Sequence, residues 1–154
     1  MDIRLRKGTD TDAELIIGYI KKLAVYENLD DDCNITIDSL KKLMKEENGL
    51  NAVIAYADGV PAGMMLYYFY KIATFSGKRV MYIEDIYIDE QFRRCGIGSI
   101  LFDNARHTAA ENNCSRLEWK CLDWNTSAQA FYQKIGGKLS SDEWLTYTID
   151  KNDF

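Results

Sequence analysis

The sequence is short of the residues that build metal centres. Its one histidine, His107, falls mid-way along a helical stretch among polar neighbours and has no metal-binding partner at a ligand spacing. Four cysteines (Cys33, Cys95, Cys114 and Cys121) are scattered with no C-x-x-C pair, so neither a zinc site nor a disulfide framework is expected. Positive charge is also scarce. Lysine and arginine number 19 against 24 acidic residues, a formal charge of -5, which argues against a protein that grips nucleic acid. No run approaches the roughly 18 consecutive apolar residues of a membrane span. The opening Met1-Asp2-Ile3-Arg4-Leu5-Arg6-Lys7 lacks the apolar stretch of a signal peptide, so a cytoplasmic protein without a membrane partner is expected. There is no internal repeat, low-complexity tract or linker.

What is present is a chain of 154 residues, 47% hydrophobic and 28% charged, enough for one packed domain over residues 1–154. Ile3 to Lys7 alternates like a strand, and Thr9 to Asp12 offers helix caps. Leu15, Ile16, Tyr19, Ile20, Leu23 and Tyr26 then recur at helical spacing. A shorter helix from Thr36 to Lys45 is expected to bury Leu40, Leu43 and Met44. Asn51 to Ala57 and Val60 to Tyr70 flank Asp58-Gly59, the signature of a tight hairpin. Arg79 to Ile88 reads as a central strand. A helix with Ile97, Ile100, Leu101, Ala105, Thr108 and Ala109 on one face follows, then a strand from Arg116 to Leu122. The last helix buries Ala128, Phe131, Tyr132 and Ile135 and stops at Gly136-Gly137. A closing strand, Trp144 to Ile149, completes a mixed α/β domain.

The most informative segment is Gln91-Phe92-Arg93-Arg94-Cys95-Gly96-Ile97-Gly98-Ser99, between a buried strand and an amphipathic helix. Glycines let the backbone approach a ligand, and the free N–H groups and dipole of a helix start favour an anion such as pyrophosphate. Arg93 and Arg94 supply local positive charge, and Ser99 a hydroxyl. No lysine lies in the turn, which disfavours a nucleoside-triphosphate loop, and Leu101 stands where a dinucleotide fingerprint needs its third glycine.

Arg93-Arg94-Cys95-Gly96-Ile97-Gly98 resembles the acetyl-CoA loop of the GCN5-related N-acetyltransferase superfamily, Gln/Arg-x-x-Gly-x-Gly/Ala. The element order is similar over nearly the whole chain. Leu23-Ala24-Val25-Tyr26-Glu27, Ile83-Glu84-Asp85-Ile86-Tyr87-Ile88 and Leu122-Asp123-Trp124-Asn125-Thr126-Ser127-Ala128 with Phe131-Tyr132 look like its diamine, or spermidine/spermine, branch. Arg94 departs from that branch, which often has glycine there. The resemblance implies a mostly antiparallel, twisted sheet with a splayed strand pair and flanking helices. It also implies direct acetyl transfer from acetyl-CoA, with no metal, to a small polyamine or diamine, by a homodimer. A peptide or protein amine as acceptor, or a non-catalytic acyl-CoA sensor, are the alternatives.

On that resemblance, Tyr132 is the acid that protonates the leaving thiolate, although its helical spacing also suits packing. Glu84 is assigned as base and Asp85 as an anchor for the substrate ammonium, with an exchange of roles open. Successive strand residues point to opposite faces, so adjacent acids in an otherwise apolar strand require a bulge or a splay, or else ion pairs. Backbone groups of Ile86, Tyr87 and Ile88 would receive the acetyl carbonyl and pantetheine, Arg93 to Ser99 the phosphates, and Asn125 the cofactor unless it only caps its helix. Tyr26 and Glu27 would contact the amine.

Overall fold

A computed structural model of the chain describes residues 1–140 and 145–154, with Lys71 described by its backbone alone. The chain divides into two units, Met1–Leu122 and Asp123–Phe154. The larger unit contains β1 (Ile3–Lys7), α1 (Ala13–Tyr26), α2 (Ile37–Lys45), β2 (Asn51–Ala57), β3 (Val60–Ala73), β4 (Lys78–Ile88), α3 (Ile97–Glu111) and β5 (Cys114–Trp119). Its five strands form one sheet in sequence order. Neighbours run antiparallel except β4 and β5, which are parallel and joined through α3.

Local chemistry explains most boundaries. At the hairpin between β2 and β3, Asp58 and Gly59 have φ of 49° and 81°. That pair of left-handed residues twists with the strands it joins. Thr36 caps α2, its hydroxyl accepting the Ser39 N–H at 3.1 Å. The first helix turns Ala13, Ile16, Ile17 and Tyr19 inward, where they meet Leu40 of α2 and Ala52, Met64 and Leu66 of the sheet. Each fully buried isoleucine or leucine contributes about 1.5–3 kcal/mol. The third helix buries Ile97, Leu101, Phe102, Ala105 and Ala109, and Phe102 meets Trp119 edge-on at 5.1 Å.

Several expectations change in the larger unit. Leu43, expected in the core, is 42% exposed; the nine-residue α2 has only one full apolar stripe, which Leu40 and Met44 occupy. On α3 the buried positions include Phe102, while Ile100 is 37% exposed. The third strand runs on to Ala73, and β5 ends at Trp119 rather than Leu122.

In the smaller unit, α4 (Thr126–Lys134) begins at Asn125, whose side chain accepts the Ala128 N–H at 3.2 Å. It ends as expected: Gly136 has φ 89°, Gly137 N–H donates to Tyr132 O, and Gly136 N–H donates to Gln133 O. Those two bonds satisfy carbonyls the helix end leaves open. Of the closing strand, Trp144 lies outside the described residues, and residues 145–149 carry no strand pairing.

One glycine fixes how closely β3 and β4 approach. A Cβ on Gly63 would lie 2.4 Å from the Tyr87 carbonyl oxygen and 3.1 Å from Ile88 Cα. Both obstacles are backbone, so the ladder itself must shift. Gly63→Ala is expected to cost about 1–3 kcal/mol, measured by chemical denaturation.

Candidate active site

The fourth strand is paired on both edges for only part of its length. Its parallel register with β5 runs from Arg79 opposite Cys114 to Ile83 opposite Trp119 and stops there. Among the described strands, residues 85–88 pair with β3 alone. The splay expected of the central strands therefore begins at Glu84.

At the same point the ladder with β3 slips. Tyr67 lies opposite Ile83 and Leu66 opposite Asp85, which leaves Glu84 as an extra, unmatched residue. A bulge of this kind breaks strict alternation. Leu66 faces α1 in the apolar cluster, so Asp85 beside it faces the same way. Glu84 accepts a hydrogen bond from the Tyr68 hydroxyl at 3.2 Å, and Tyr68 shares the Leu66 face of β3. Both acids thus serve one face.

The backbone beyond the bulge is arranged alternately. Asp89 N–H donates to Ala62 O at 2.9 Å, and the Tyr87 carbonyl points at Gly63, so odd-numbered residues spend their backbone groups on β3. Ile86 and Ile88 then direct theirs to the edge that β5 has left. The Ile88 carbonyl shows this directly, since it accepts a bond there from Arg93 Nε at 3.0 Å. Among Ile86, Tyr87 and Ile88, the structure presents the first and last at the open edge. Tyr87 has its backbone turned to β3 and its ring 5.8 Å from that of Tyr19.

The acids are electrostatically exposed to one another. Asp85 is pushed from 3.8 up to about 6, first by burial, then by the charges of Glu84 and Glu27. Glu27, the half-buried C-cap residue of α1, is itself raised by burial. Burial and the adjacent Glu84 push the Tyr68 hydroxyl up to about 12, which keeps it a proton donor. No lysine or arginine among the described residues forms an ion pair with Glu27, Glu84 or Asp85. Three carboxylates gathered without a cation are suited to receiving one.

The turn after β4 carries opposite polarity. Gly96, with φ 86°, caps α3, and the first helical bond is Ile100 N–H to Gly96 O. The N–H groups from Gly96 to Ser99 are consequently free of intrahelical partners, with no acid in the first turn. Gly98 is buried, while Cys95 and Ser99 are exposed. Arg94 has φ 64°, a left-handed conformation that glycine adopts without strain, which is why glycine suits this position in the resembling branch. Its guanidinium is exposed beside the turn.

Arg93 is engaged differently from the expectation that paired it with Arg94. Its guanidinium lies over the rings of Tyr26, at 5.2 Å, and Tyr87, at 5.7 Å. Lys22, from the same helix, meets Asp89 at 2.5 Å. The turn is thereby tied to the C-terminal end of α1, where Tyr26 and Glu27 lie.

Tyr132 and Asn125 belong to the smaller unit. Asn125 is the observed cap of α4, and the half-buried Tyr132 ring packs 5.6 Å from Phe131. Tyr68, Tyr70 and Tyr82 escaped the reading of the sequence because tyrosines in strands read first as β-formers. The i, i+2 spacing of Tyr68 and Tyr70 was the available signal for a shared face.

Residues 17–137 match the Acetyltransferase (GNAT) family. The chain belongs to this family. It is an N-acetyltransferase acting on amines. Thialysine N-epsilon-acetyltransferase of Caenorhabditis elegans is 34% identical over 92% of this chain and 88% of that one. The human spermidine/spermine N(1)-acetyltransferase-like protein 1 is 26% identical over 97% of this chain and 23% of that protein. Among solved structures, a possible acetyltransferase from Clostridium difficile 630 superposes with a TM-score of 0.80 at 18% identity, covering 96% of this chain and 99% of that one. The shared fold of the GNAT acetyltransferases includes the open, mostly antiparallel sheet described above.

Proposed function

We propose that the protein transfers the acetyl group of acetyl-CoA directly to the primary amine of a small polyamine- or diamine-like acceptor. The observation that carries this reading is the open edge of β4, with Glu84 and Asp85 brought to one face by the bulge and in no ion pair among the described residues. The turn from Arg94 to Ser99 has the free N–H groups and local charge that a pyrophosphate requires. Ile86 and Ile88 can pair with the amides and carbonyl of an extended ligand as a strand would.

An alkyl amine is mostly protonated at neutral pH, so it must lose a proton before its nitrogen bonds to the thioester carbonyl carbon. A carboxylate held near 6 is a better base than one of ordinary pKa, which favours Asp85 for that proton and Glu84 with Glu27 for holding the ammonium. This is the exchange of roles the sequence left open. As the C–S bond breaks, Tyr132 is assigned to return a proton to sulfur, a role that rests on the family resemblance. The reading includes a single catalytic domain over residues 1–154 acting as a cytoplasmic homodimer. The exposed Val25, Tyr26 and Leu29 at the end of α1 are consistent with a second copy there.

CoA release measured with acetyl-CoA against polyamines, diamines, lysine analogues and peptides tests the proposal. Turnover is expected with the small amines. Turnover confined to peptides would replace the acceptor class, and tight acetyl-CoA binding without turnover would indicate a sensor.

A further inference from the structure

Arg93 is fastened both to the end of β4 and to α1. Its Nε donates to the Ile88 carbonyl at 3.0 Å. Its guanidinium carbon lies 5.2 Å from the ring centroid of Tyr26 and 5.7 Å from that of Tyr87. A planar cation over two ring faces is attracted by both. Tyr87 in turn meets Tyr19 at 5.8 Å, and Lys22 lies over the Tyr19 ring at 5.2 Å while bonding Asp89. Asp89 and Arg93 flank the short turn Glu90–Phe92, so both ends of that segment are attached to α1. The path from β4 to the cofactor turn is therefore braced by one helix.

The residue after Tyr26 is Glu27, the C-cap of α1. Its backbone N–H donates to Leu23 O at 2.9 Å. Among the described residues, no hydrogen bond or ion pair holds its carboxylate. Its place is thus set by the backbone at the helix end, where Tyr26 is the neighbouring side chain that the turn grips. Four groups surround the acid site from different elements. Glu84 adjoins Asp85 on β4, and the Tyr68 hydroxyl of β3 donates to Glu84. Glu27 of α1 acts on Asp85 by its charge, and the Cys121 thiol, beyond the end of β5, is pushed up by burial and by Glu27. The charges that act on Asp85 are those of Glu84 and Glu27.

Resting on the acceptor reading above, we propose that Arg93 is a positioning residue for the acceptor amine: by clamping Tyr26 it places the Glu27 carboxylate toward Asp85, so the turn that receives the cofactor also sets the amine site. Two accounts of Arg93 then predict opposite signs. If it acted only as a positive charge near the acids, its removal would disfavour their charged forms and move the Asp85 titration to higher pH. If it places Glu27, its removal withdraws a like charge and moves that titration to lower pH, as Glu27→Gln does.

CoA-release kinetics with putrescine, spermidine and L-lysine, at saturating acetyl-CoA, test the placement. Arg93→Gln is expected to raise KM for each accepted amine about fivefold or more, the lower end of ordinary coupling between sites. It should also move the acid limb of kcat/KM to lower pH. Arg93→Lys keeps the charge but not the planar group. It should change both quantities in the same direction, and it decides the matter where the melting temperature shows that Arg93→Gln has lost its fold. In a Glu27→Gln background either substitution should change KM by less than about twofold, because the group it places is gone. A limb that stays or moves to higher pH, or a KM effect that persists in full without Glu27, would overturn the inference and leave acetyl transfer intact. A loss of acetyl-CoA affinity of about tenfold or more with unchanged amine KM would make Arg93 a phosphate ligand and overturn it too. Absence of CoA release with every amine would overturn the acetyl-transfer reading by itself. Calorimetric titration of the same amines into the CoA-bound protein then decides the inference separately: Arg93→Lys must weaken binding in the wild type and leave it unchanged in Glu27→Gln.

Discussion

Asp85→Asn is expected to lower kcat/KM at pH 7.5 by about 10²-fold or more, the usual contribution of a positioned base. The variant should also be more stable than the wild type. Both effects come from one cause. Burial, Glu84 and Glu27 hold the Asp85 carboxyl at about 6 instead of 3.8, so the folded protein binds more protons than the unfolded chain between those values. Stability then falls as pH rises through that window, and above it the full penalty of a crowded, half-buried charge is present. A two-unit shift corresponds to about 3 kcal/mol, which partial exposure reduces to about 1–2 kcal/mol. Asparagine removes the charge and with it the penalty, so its advantage is largest at neutral pH and vanishes below about pH 4. Denaturation at pH 7.5 and pH 3.5, with kinetics on the same samples, checks the pair of effects.

The pH profile separates Asp85 from its neighbours. If Asp85 is the base, wild-type kcat/KM declines below about pH 6 as the carboxylate takes up its proton. Glu27→Gln removes one of the charges that raises Asp85, and the decline should move to lower pH. Glu84→Gln removes the larger of the two charges and should move that limb at least as far, so a raised KM on top of this movement would agree with Glu84 as an anchor. An acid limb that survives in Asp85→Asn would assign the base elsewhere.

The parts of this site that local chemistry determines were legible in the sequence. Asp58-Gly59 declares its hairpin because both residues tolerate positive φ, and Gly136 declares a helix end for the same reason. Gly96 at the start of α3 was readable as a strand-to-helix turn because cap and glycine act within a few residues. The adjacency of Glu84 and Asp85 in an apolar strand stated a problem that alternation cannot solve. Its solution depends on β3 and β5, and no local rule contains it. The bulge follows from how Leu66 and Tyr67 take register, and the gap from where β5 stops. Arg93 shows the same limit: its motif suggested a phosphate ligand, and nothing local announces that its guanidinium also lies over the ring of Tyr26, distant in sequence, as well as that of Tyr87. Leu43 was misplaced because an apolar residue at nearly the right helical phase differs from a buried one only through the shape of what lies opposite. The charge of -5 selects no function by itself and acquires meaning only once three acids are seen to converge.

Tyr132→Phe is the second substitution with a large expected effect, about 10²-fold in kcat. The leaving group of acetyl transfer is a thiolate, whose pKa of about 8.5 lies below that of a phenol near 10. Proton transfer between groups so closely matched is easy in either direction, so a tyrosine can supply the proton without being unusually acidic. Phenylalanine keeps the ring that packs 5.6 Å from Phe131 and leaves the α4 backbone bond from Gly137 to residue 132 in place. With the melting temperature recorded alongside, a loss of turnover that exceeds any loss of stability reports on the hydroxyl. A leaving group that needs no proton separates the two accounts further. With an acyl donor whose thiol has a much lower pKa, the deficit of Tyr132→Phe should shrink if the hydroxyl is an acid and persist if it only fills space. Equal turnover of variant and wild type with acetyl-CoA would remove Tyr132 from the reaction and return it to the packing role that its helical spacing also allowed.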